Sequence, residues 1–73
     1  MHKPPKPVVL EASHAGRRFR IEQDGTAGFY IYAFEGEHCT HDYLQDTLEF
    51  AKKCAREEFG VPEDAWHEAK SAA

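Results

Sequence analysis

From Val8 to Glu35 the chain is built of short apolar runs and two-residue alternations; beyond Gly36 the apolar spacing lengthens to three and four. Val8-Val9-Leu10-Glu11-Ala12 predicts a first strand, followed by a turn around Ser13-His14-Ala15-Gly16. Arg17-Arg18-Phe19-Arg20-Ile21-Glu22-Gln23 alternates polar and apolar residues, as a strand buried on one face does. Asp24-Gly25 is a hairpin signal, because glycine accepts the positive φ such turns require. Gly28-Phe29-Tyr30-Ile31-Tyr32-Ala33-Phe34-Glu35, rich in aromatic and β-branched residues, predicts the third strand.

From about Thr40 to Phe59, apolar residues at 44, 48, 51, 55 and 59 form one stripe of a helix. Asp42 followed by Gln45 fits a capping box, with Thr40 as the competing N-cap. Gly60 and Pro62 stop the helix, and Pro62-Glu63-Asp64-Ala65-Trp66 fits one more helical turn with Pro62 in its first position. Trp66 is expected to close the lower end of the core. Residues 1–7, with three of the four prolines, predict an extended tail, and residues 68–73 a frayed end. The expectation is one α+β domain over 8–67: a three-stranded antiparallel β-meander packed on one C-terminal α-helix, plus a short terminal helical turn.

That order closes on Phe59-Gly60 and, five residues later, Trp66, in Phe-Gly-Val-Pro-Glu-Asp-Ala-Trp. Over residues 17–67 the pattern resembles small uncharacterised bacterial proteins in which a strand meander leads into a helix. The resemblance implies the fold and carries no activity with it.

At 73 residues the chain has room for one thin core and none for a second domain or a deep cleft. Its 41% hydrophobic content is that of a globular chain. Charge is uneven. Residues 1–20 hold five bases against one acid (+4), whereas residues 21–73 hold four against twelve (−8). Such a chain is a poor general binder of phosphate backbones. It has neither an apolar stretch long enough to span a membrane nor the apolar centre of a signal peptide, so a cytoplasmic location with reduced thiols is expected.

The third strand is apolar on both faces: Phe29, Ile31 and Ala33 on one, Tyr30, Tyr32 and Phe34 on the other. One helix covers one face. A three-residue loop Gln23-Asp24-Gly25 sets Phe19 opposite Phe29 and Arg18 opposite Tyr30, leaving Arg18, Arg20, Tyr30, Tyr32 and Phe34 outside. A two-residue loop Asp24-Gly25 instead leaves Phe29, Ile31 and Ala33 outside. The first arrangement is favoured, because tyrosine hydroxyls want water or a partner. The expected function is non-enzymatic: an interaction or regulatory module using Arg18, Arg20, Tyr30, Tyr32 and Phe34 to meet a second copy, as a homodimer, or another protein.

Two other functions compete. Glu35-Gly36-Glu37-His38-Cys39-Thr40-His41-Asp42 gathers metal-ligand types, and the first turn brings His14 to the same end of the sheet. His14, His38, Cys39 and His41 would suit zinc, in a metal-binding module. Alternatively, Arg18 and Arg20 would meet phosphates while Tyr30 and Tyr32 stack on the bases of a single-stranded nucleic acid. No recognised glycine-rich phosphate loop is present, and Ser13-His14 are merely neighbours, so no cofactor and no catalytic residue are expected.

Overall fold

The computed structural model describes residues 8–25 and 27–69. Its elements are β1 (Val9–His14), β2 (Arg17–Asp24), β3 (Gly28–Glu35), β4 (His38–Gln45), α1 (Leu48–Phe59), a 3-10 turn (Glu63–Ala65) and β5 (His67–Glu68). The strands form one antiparallel sheet in the order β4-β3-β2-β1-β5, with α1 across one face. The class is α+β, but the expected three strands are five.

The fourth strand corrects the reading of residues 40–47 as helix. Leu44 falls on the stripe that continues through residues 48, 51, 55 and 59, yet it belongs to β4 and is 47% exposed. The period there is two: His41 and Tyr43 lie opposite the buried Ala33 and Ile31, while Asp42 and Leu44 lie opposite Tyr32 and Tyr30. An edge strand with exposed and half-buried positions but none buried tolerates polar residues almost throughout, so its alternation is faint. The N-cap is Thr47, not Asp42 or Thr40; its Oγ1 accepts the Phe50 N–H at 3.1 Å. Asp42 therefore precedes the helix, and on the helix itself Lys53 approaches Glu57 at 4.0 Å.

The fifth strand corrects the other end. His67 and Glu68 pair with Glu11 and Leu10, and the Ala69 N–H reaches the Val9 carbonyl at 3.0 Å. Paired backbone thus extends two residues beyond the expected domain end at 67, through residues expected to fray. The expected tail at 1–7, and 70–73, lie outside the described residues. Pro62 is extended and precedes the final turn rather than opening it as a helical residue.

The core lies between sheet and helix. Leu10, Ala12, Phe19, Ile21, Ile31 and Ala33 from the sheet bury against Ala51, Ala55 and Val61. Alanines at 51 and 55 let the helix backbone approach the sheet closely, which a 12-residue helix needs to exclude water from so thin a core. Gly60 ends the helix at φ 75° and donates its N–H to Arg56 at 2.9 Å, which turns Val61 inward. Trp66 is half-buried and packs against the core. Among the described residues no helix is long and apolar enough to cross a membrane.

Candidate partner-binding sheet face

Asp24 and Gly28 close the hairpin between β2 and β3, so Phe19 opposes Ala33 and Arg18 opposes Phe34. The expected partners, Phe29 and Tyr30, are four residues away along β3. Gln23 and Asp24, expected in the loop, are paired strand residues. The displacement is even, so each side chain keeps the face it has in the favoured arrangement. Arg18, Arg20, Tyr30, Tyr32 and Phe34 share the face turned away from the helix.

Three cross-strand rows define that outer face. One runs Cys39-Phe34-Arg18-Ser13, the next Asp42-Tyr32-Arg20-Glu11-His67, and the third Leu44-Tyr30-Glu22-Val9. Asp24 lies beyond the third row, opposite Gly28. The β3 aromatics form a ladder: Tyr30 stacks on Tyr32 at 5.9 Å, and Phe34 tilts against Tyr32 at 6.4 Å. Arg18 lies over the Phe34 ring at 5.7 Å and donates from Nη2 to the Gly36 carbonyl at 3.1 Å. Arg20 Nε stands 3.2 Å from Glu22 Oε2, but its N–H is not aligned on the carboxylate; the contact is an ion pair, not a hydrogen bond. Burial pushes the Tyr32 phenol above its ordinary pKa, and Glu22, Tyr30, Asp42 and Asp24 push the same way.

The face is mixed in charge. Arg18 and Arg20 share it with Glu11, Glu22, Asp24 and Asp42. Four carboxylates against two guanidiniums repel a phosphate backbone, which weighs against a single-stranded nucleic acid as the ligand.

His14, His38, Cys39 and His41 are not brought together. Cys39 opposes Phe34 on the outer face, whereas His41 opposes Ala33 on the helix side, stacked on Tyr43 at 6.3 Å and edge-on to Phe59 at 5.4 Å. The register change between Ala33 and Phe34 separates the two, with Thr40 as the extra residue of the bulge. His38 is exposed at the hairpin end, and His14 lies against Gly60. Among the described residues no three His, Cys, Asp or Glu side chains are placed to share a metal ion.

Arg17 is a residue that its charge alone misplaces. Formally a polar position of β2, it lies on the helix side over the rings of Phe59 at 5.2 Å and Phe19 at 5.9 Å. Its Nη2 donates to Thr40 Oγ1 at 2.8 Å, and Thr40 Oγ1 donates in turn to the Ala33 carbonyl at 3.2 Å. Only its parity with Phe19 and Ile21 signals this place. Cys54 is half-buried beside Gln45 and Phe50, in an open hollow of about 280 Å³. Burial and then Glu58 raise its thiol pKa, with Glu57 adding to them against a hydrogen bond to Gln45; a raised pKa disfavours the nucleophilic thiolate.

No family model matches the chain, and neither a curated protein nor a solved structure resembles it significantly.

Proposed function

We infer that this chain is a small non-catalytic interaction module of the cytoplasm whose outer sheet face docks against a protein surface. The observation that carries this reading is the Tyr30-Tyr32-Phe34 ladder, flanked by Arg18, Arg20 and Leu44, with α1 packed on the opposite face. Tyrosine and arginine are the residues that interfaces favour: each combines a broad apolar body with a polar end. Stacking holds these side chains in place before contact, which lowers the entropy lost on binding.

Sedimentation of an N-terminally labelled chain in cell extract tests the reading. The parent chain should move as a complex, and Tyr32→Glu should move as a single 8.3 kDa chain. Arg18→Glu serves as a second probe on an exposed position, with circular dichroism to verify that both variants fold. Equal sedimentation of parent and folded variants would refute docking through this face.

A further inference from the structure

Charge on the outer face is ordered along the strands. On β2 the outward residues run Arg18, Arg20, Glu22, Asp24: two positive, then two negative. On β3, Tyr32 stands beside Arg20 and Tyr30 beside Glu22. Such a pattern is complementary to its own reversal.

We propose that the occupant of this face is a second copy of the chain, packed face to face with its strands reversed. The two-fold axis lies across the strands, midway between the Tyr32-Arg20 row and the Tyr30-Glu22 row. The proposal rests on the docking reading above and names the partner.

This operation sets Arg18 opposite Asp24 of the second copy and Arg20 opposite Glu22, each pair occurring twice by symmetry. Tyr32 meets Tyr30, and Phe34 meets the Gly28 end of β3, where the backbone of Gln45 and Asp46 closes against the glycine. At the rims Asp42 faces Leu44 and Glu11 faces Val9, so the outlying acids meet no like charge. The competing symmetric arrangement, with its axis along the strands between β2 and β3, sets Glu11 against Asp42 of the other copy. Like charges in that position count against it.

Area is sufficient. Four strands of about eight residues, ~4.8 Å apart and ~3.3 Å per residue, cover roughly 20 by 25 Å before side-chain relief is added. With that relief the face approaches the ~800 Å² per partner of a standard interface.

Light scattering on the full chain across a hundredfold concentration range should give twice the 8.3 kDa chain mass. Arg18 and Asp24 are exposed, and among the described residues neither forms an ion pair within the chain, so both can be reversed without loss of the fold. Arg18→Glu and Asp24→Arg should each raise the dimer dissociation constant about tenfold or more. The double variant should recover most of the loss. A dimer indifferent to these changes, or weakened by both without recovery in the double variant, overturns the reversed packing. A monomer at every concentration overturns the second copy as partner. In either case sedimentation in extract judges the docking reading separately, because a face serving a different protein still loses its complex on Tyr32→Glu.

Discussion

The guanidinium of Arg17 lies 5.2 Å from the ring centroid of Phe59, joining the second strand to the last residue of the helix. The same group lies over Phe19 and donates to Thr40, so one side chain ties β2, the β4 bulge and α1 together where the core is open to water. A partly desolvated cation over an aromatic ring contributes about 1–2 kcal/mol. Arg17→Ala should therefore lower stability by about 2 kcal/mol, with the lost hydrogen bond included. Arg18→Ala, one residue along and on the other face, should change it by less than ~0.5 kcal/mol. Urea unfolding compares the two; equal effects would remove Arg17 from the core.

Gly28 tests the close approach between β3 and the end of β4. Its φ is 131°, and a Cβ there would overlap the carbonyl oxygen of Gln45. That neighbour is backbone, so the clash is relieved only by moving the strand pair. Gly28→Ala should cost about 3 kcal/mol. Gly36 is the control: its φ is 59°, but nothing lies within 4 Å of a Cβ. Gly36→Ala should cost about 1 kcal/mol. Thermal unfolding of both variants separates the clash from the φ preference.

The turn between β1 and β2 holds an improvable position. Ala15 has φ 52° and Gly16 has φ 77°, a pair of left-handed residues closing a two-residue hairpin. This turn prefers Asn-Gly, because asparagine enters the left-handed region more readily than alanine. Ala15→Asn should raise stability by about 0.5–1 kcal/mol. A fall in melting temperature would show that Ala15 is held by something other than its backbone.

How much of this was legible in the sequence depends on how deeply each strand is buried. Phe19 and Ile21, and Phe29, Ile31 and Ala33, carry apolar side chains at every second position, so β2, β3 and their inward faces were readable. Hairpin register was not: Asp24-Gly25 looks like the centre of the turn, but Asp24 pairs with Gly28, whose unusual φ accommodates the return. The β4 edge is masked in the sequence because Leu44 continues the helical stripe, while the inward positions are filled by His41 and Tyr43. His67 and Glu68 pair through backbone alone, which leaves no side-chain signature. Of the candidate site, the outward set Arg18, Arg20, Tyr30, Tyr32 and Phe34 follows from strand parity. Glu22 follows from the same parity, whereas Glu11 and Asp42 become visible only once β1 and β4 are in register beside it.

Tyr32 gives the outer face a signal that can be followed in solution. Its phenol is shifted upward from 10.0, chiefly by burial and then by Glu22, Tyr30, Asp42 and Asp24. A raised pKa means that the folded protein favours the neutral phenol. The stabilising contribution is therefore fully present below pH ~10 and is lost as pH rises through the folded-state value. In an ultraviolet titration of phenolate absorbance, Tyr32→Phe should remove a component that ionises above the ordinary range, and it should flatten the alkaline loss of stability. Face-to-face packing of two copies brings a second Tyr30 and a second Glu22 toward the same hydroxyl and removes more water. The Tyr32 component should then move further up as protein concentration increases. A component that stays fixed while the solution mass doubles would place the dimer contact elsewhere.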